Sequence, residues 1–185
     1  MQSRTMVVAV ALVAVVGVTG ASAFTTATVA RDAQIDVAND ENGAIGLTAG
    51  SVSGVSQNGS GALNLALGQE GTAQGLNTEA TFAYGDTSSP TTTFAFEVTN
   101  NDSQAHDIDL SYAFDGNDPN TNAVNVEFVV YDSSGGASVA TASEDSTATI
   151  AGVGGGVSHY VVVQIDTTGV ASSDDLSGTL EVSAT

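Results

Sequence analysis

The sequence predicts an all-β protein, a single antiparallel β-sandwich, and two observations carry that prediction. Apolar residues recur at every second position in short runs, and turns rich in Gly, Ser, Asn and Asp bound those runs. No apolar stripe of helical period continues beyond about a turn, and the best helical stretch is a short one near Ser172–Leu176. Many short strands punctuated in this way bury their apolar sides by packing two sheets face to face.

The elements follow in chain order. Met1–Thr5 holds one cation, Arg4, and Met6–Val18 is apolar except for Gly17. Ala21-Ser22-Ala23 then supplies the small-x-small pattern of a signal-peptidase site. The apolar run is shorter than the roughly 20 residues of a comfortable membrane span. Residues 1–23 are therefore expected to leave as a signal peptide, with no membrane association afterwards; a retained leader is the competing reading.

From Ala27 the odd positions read Ala27, Val29, Arg31, Ala33, Ile35 and Val37, against Thr28, Ala30, Asp32, Gln34 and Asp36. That is a strand wanting one face buried. It begins at the new N-terminus, Phe24, where a chain frays unless something pins it. Residues 24–37 are thus expected to add to a sheet edge, in their own domain or in a neighbour's.

Residues 38–185 are expected to form the sandwich. Ala38–Gly43 is a polar turn before a short strand at Ala44–Thr48, and Gly50–Gly61 is a loop without periodicity. Leu63, Leu65 and Leu67 restore the period of two, which Gly68–Gly75 breaks again. Ala80, Phe82 and Tyr84 mark the next strand, ended by Gly85-Asp86 and Ser88-Ser89-Pro90. Phe94, Phe96 and Val98 precede the turn Asn100–Ser103, and Ile108, Leu110, Tyr112 and Phe114 follow it. These two strands are expected to pair as the central hairpin. Val124–Val130, weak strands at Ala137–Ala142 and Ala148–Ile150, then Val157–Ile165 and Leu180–Val182 complete the set. About ten such side chains, at roughly 1.5–3 kcal/mol each, make an ordinary core for one domain.

Charge bounds the partners. The chain carries 21 acids and two Lys or Arg in all, and no Asp or Glu precedes Asp32. With Arg31 the one cation after residue 23, the processed chain has a formal charge of 1 minus 21, or −20. Nucleic acid is excluded as a partner, as are anionic membrane surfaces. A domain this acidic repels itself in dilute buffer, whereas in molar salt the Debye length falls to about 3 Å and the repulsion fades. Abundant Asp, absent lysine, a core of Ala and Val and few aromatics together indicate adaptation to brine. With no cysteine, disulfides, thiolate catalysis and zinc–thiolate sites are all excluded.

No catalytic constellation is found, so no enzyme is expected. The two histidines, His106 and His159, lack an HExxH partner or close acidic spacing. The oxygen-rich run with Asp115, Asn117, Asp118 and Asn120 could hold Ca²⁺, although it lacks the full calcium-loop pattern and a closing Glu, and such residues also simply make turns. No other cofactor is indicated. Asn58-Gly59-Ser60 and Asn101-Asp102-Ser103 are glycosylation sequons in expected loops. Gly154–Gly156 has neither lysine nor a following helix and reads as a flexible turn.

The region Ala21–Thr48, in which a leader ends directly at Phe24 and an Ile35-Asp36-Val37 strand follows, resembles the secreted TasA/camelysin group and its haloarchaeal relatives. The block Thr93–Ser103 is similar to that group's phenylalanine-rich strand running into an Asn-rich turn. The resemblance implies a jelly-roll-like β-sandwich that polymerises into extracellular fibres or bundling pili of a biofilm matrix, with an N-terminal strand completing a sheet of the next subunit. On this chain the donor would be Phe24–Val37, with Phe24, Ala27, Val29, Ala33, Ile35 and Val37 at the subunit interface. Physical reasoning runs the same way: donor strand and acceptor groove are different patches of one molecule, so their contact propagates into an open filament. The expected partner is therefore a second copy, with cell-surface or matrix components as further possibilities. The alternative is a monomeric secreted or surface-associated adhesion domain whose segment 24–37 folds at home.

Overall fold

A computed structural model of the chain describes residues 40–69, 71 and 75–185. The expected leader and donor strand, residues 1–23 and 24–37, lie outside the described residues. Among the described residues, a 3-10 turn at Asp40–Asn42 is followed by eleven strands: β1 (Ile45–Ala49), β2 (Val55–Gln57), β3 (Leu63–Leu65), β4 (Thr81–Tyr84), β5 (Phe96–Asn100), β6 (His106–Phe114), β7 (Val126–Tyr131), β8 (Ala140–Ser143), β9 (Ala148–Val153), β10 (Ser158–Asp166) and β11 (Gly178–Ala184). They belong to one unit, Val37–Thr185.

Two antiparallel sheets face each other, so the all-β sandwich expected from the alternation is what forms. The large sheet runs β1-β5-β10-β7-β8, with β4 also paired to β10; the small one runs β11-β6-β9; β2 and β3 make a separate hairpin. The core between the sheets is built from alternate residues: Phe96 and Val98 of β5, Ile108 and Leu110 of β6, Phe128 and Val130 of β7, and Val161 and Val163 of β10. Tyr112, Phe128 and Phe96 stack at its centre, with ring centroids 5.3 and 6.4 Å apart.

The expected hairpin of Phe94–Val98 with Ile108–Phe114 does not form. β5 lies in the large sheet between β1 and β10, and β6 lies in the small sheet between β11 and β9. The Asn100–Ala105 segment is a corner that carries the chain from one sheet to the other. Asn100, fully buried, holds that corner: its Nδ2 donates to Gln104 O and Val153 O, both at 2.7 Å, and its Oδ1 accepts from Asp102 N.

The chain between β4 and β5 does more than end a strand. Both strands lie on one edge of β10, β4 along Val163–Asp166 and β5 along Ser158–Val161, with the intervening loop closed by the Gly85–Phe94 bridge. That loop lies against the outer face of the large sheet. Pro90 is fully buried, and Phe94 stacks on Tyr160 at 4.9 Å. Val129, Tyr131 and Val162 form a second apolar cluster on that face. Gly85 is required here: at φ 120° a Cβ would stand 2.9 Å from Val162 Cγ2.

Two further expectations change. Val55–Gln57, inside the stretch read as loop, is a strand paired to Leu63–Leu65. The helical stretch at Ser172–Leu176 is instead a turn, because Asp174 Oδ2 accepts the Ala171 N–H while Asp174 N donates to Ala171 O.

Candidate assembly edge

A sandwich that assembles through strand addition needs an unguarded sheet edge, and the edges here are guarded unequally. Along β1, Gly46 and Thr48 face β5, so the backbone groups of Ile45, Leu47 and Ala49 face outward. Gln57 caps two of them: its Oε1 accepts from Ala49 N at 2.9 Å and its Nε2 donates to Leu47 O at 2.7 Å. The edge of β9 is broken by a bulge at Gly152, whose φ is 62° and whose N–H is capped by Asp107 Oδ1 at 2.6 Å. β4 and β8 are each four residues long.

β11 differs. It runs seven residues and, among the described residues, pairs with β6 alone. Asp107 and Thr185 exchange both backbone bonds, and Asp115 N donates to Ser177 O, so odd-numbered residues of β11 face β6. The N–H and C=O groups of Gly178, Leu180, Val182 and Ala184 consequently point away from the sheet. Leu180 and Val182 turn their side chains toward the core yet stay half-buried, and so do Ile45 and Leu47 at the matching border of the large sheet. A further strand laid on β11 would satisfy the four residues' backbone groups and cover that apolar border.

The other face of the small sheet is acidic. Asp107, Asp109 and Glu181 project from it; Asp109 Oδ1 accepts from Thr149 Oγ1 at 2.5 Å and Asp107 Oδ1 from Gly152 N at 2.6 Å. Both arginines fall outside the described residues; within those residues the Asp102 carboxylate meets the His106 ring, with Oδ2 and Nε2 2.7 Å apart. That contact, ahead of the Ser103 amide, draws the Asp102 carboxyl below its ordinary value. His159 belongs to the other sheet and is buried, with Nδ1 lacking a partner; burial holds its pKa below the usual imidazole value, opposed by the charge of Asp132.

The expected calcium residues sit in the loop after β6, where three of the four side chains make hydrogen bonds. Asp115 accepts from Thr179 Oγ1, Asp118 Oδ1 closes a turn on Asn120 N at 2.8 Å, and Asn120 Nδ2 donates to Thr168 O; Asn117 is exposed. Among the described residues, no three His, Cys, Asp or Glu side chains gather as metal ligands. An open depression of about 420 Å³ on the outer face of the large sheet, lined by Thr81, Ala83, Glu127, Gln164 and Asp166, offers two carboxylates and no nucleophile–base pair. Among the described residues, no helix is long and apolar enough to cross a membrane.

Sequence reading missed the guard role of Gln57 and the clamp made by Glu144, whose carboxylate accepts from the backbone N–H groups of Asn125 and Val126. Alternation reports which face a strand buries; neither it nor any motif reports what caps an edge. No protein-family model, curated protein or solved structure matches the chain.

Proposed function

We propose that the chain is the structural subunit of an extracellular filament, in which residues 24–37 of one copy pair with β11 of the next. The observation that supports this most directly is the seven-residue edge of β11, with four outward-facing backbone pairs and a half-buried apolar border beside it. The donor's alternation fits that border: Ala27, Val29, Ala33, Ile35 and Val37 fall on one side of the period of two, which is apolar apart from Arg31. The resemblance of Ala21–Thr48 and Thr93–Ser103 to the TasA/camelysin group supports the same reading. The leader supports export, and the acidity supports a saline medium outside the cell.

Deletion of residues 24–37 tests it. The truncated chain is expected to be a soluble monomer that binds a 24–37 peptide in trans, while the processed full chain forms fibres visible by negative stain. Fibres from the truncated chain contradict the proposal.

A further inference from the structure

The two sequons fold into different surroundings, and from this difference we infer that Asn58 is an N-glycan acceptor and Asn101 is not. Asn58 is exposed at the tip of the β2–β3 hairpin. Its carboxamide oxygen is saturated by three donors: Ser60 Oγ at 2.7 Å, Ser60 N at 2.9 Å and Ala62 N at 3.0 Å. The backbone closes the same turn, with Asn58 N donating to Ala62 O and Gly61 N to Asn58 O. Every bond therefore lands on Oδ1, N or O of Asn58, and Nδ2, the atom that carries a glycan, meets no acceptor among the described residues.

The sequon hydroxyl lies beside the carboxamide: Ser60 Oγ–H donates to Oδ1, so it does not occupy Nδ2, and both sequon groups are presented together at the exposed hairpin tip. The step is a group transfer. Nδ2 forms a bond to the anomeric carbon of a lipid-phosphate-linked sugar, the bond from that carbon to the phosphate oxygen breaks, and the lipid phosphate leaves with the electron pair. The Nδ2 proton passes to a base of the transferase that supplies the sugar donor.

At Asn101 the same atom is spent on the fold. Its Nδ2 donates to Gly43 O at 3.0 Å and Glu41 O at 3.3 Å, tying the corner after β5 to the segment before β1. It also presses on Gly46, where a Cβ would come within 2.6 Å of it. A sugar on Asn101 Nδ2 would leave one N–H, so at least one of these two bonds would be lost and the added bulk would crowd the contact with Gly46, which disfavours transfer to the folded chain.

Glycopeptide mass spectrometry of the full chain, secreted from a host that carries an oligosaccharyltransferase, tests this. The peptide holding Asn58 is expected to gain a glycan mass at occupancy at least about tenfold above that of the Asn101 peptide. N58Q and S60A should each lose the glycan. S103A, which spoils the second sequon while keeping the Asn101 amide bonds, should leave the glycan mass unchanged. A bare Asn58, or a glycan on Asn101, overturns the inference.

Discussion

Proline separates the two sides of β11, because it deletes one backbone N–H and leaves the rest of the ladder. Glu181 is odd-numbered and faces Ser111 of β6, whereas the Val182 N–H points away from the sheet. Glu181→Pro should therefore remove a ladder bond and strand a carbonyl. That costs the sandwich about 2–4 kcal/mol, and at about 3 °C per kcal/mol the melting temperature drops by roughly 6–12 °C. Val182→Pro should leave the sandwich within about 1 kcal/mol of the parent, since proline is tolerated where an edge N–H faces outward. Its effect falls on assembly. The outward groups of Gly178, Leu180, Val182 and Ala184 number eight (four residues, two groups each). At about 0.5–1.5 kcal/mol net per bond they give a donor strand roughly 4–12 kcal/mol. A ring in the middle of that row interrupts pairing on both sides and should remove at least about 3 kcal/mol, raising the concentration needed for fibres more than about 100-fold. Thermal unfolding followed by circular dichroism, with sedimentation velocity across protein concentration, reads both effects. If Val182→Pro polymerises like the parent, β11 is not the acceptor.

The remaining predictions concern the sandwich itself. His159 is buried in a form that resists protonation, so the unfolded chain takes up a proton the folded chain refuses; stability should fall as pH drops below the ordinary imidazole value of 6.5, and His159→Gln should flatten urea-unfolding midpoints between about pH 7 and 5. Glu144→Ala leaves the Asn125 and Val126 amides without their carboxylate, which should cost about 2–4 kcal/mol by the same unfolding assay. With 21 acids and two Lys or Arg, the chain should gain stability steeply as NaCl rises from about 0.1 to about 2 M, and retention of the full melting temperature in dilute, metal-free buffer would contradict the brine reading.

The strands were legible in the sequence wherever alternation was backed by large side chains. Phe96, Val98, Ile108, Leu110, Phe128 and Val130 all mark core positions that the period of two picks out. What alternation does not encode is the sheet to which a strand belongs. Two adjacent strands with buried faces look alike whether they pair in one sheet or cross between two, and here one buried amide, that of Asn100, decides for the crossing. The 85–94 loop was opaque for a related reason: Ser88-Ser89-Pro90 has turn composition, and only the apolar outer face of β7 and β10 explains why Pro90 is buried. Of the proposed assembly site, the 24–37 alternation is a local pattern in the sequence and lies outside the described residues. The open edge of β11 is not such a pattern, because an edge is defined by what does not pair beside it among the described residues.

Because the chain has no cysteine, single-cysteine variants report contacts without background. Processed chains carrying Leu180→Cys, mixed in turn with chains carrying Val29→Cys, Ala33→Cys or Ile35→Cys, should join by disulfides between copies at one register, giving a covalent dimer on non-reducing gels. A double variant that closes the same disulfide within a single monomeric chain would show the N-terminal strand folded at home, and no filament would follow from it.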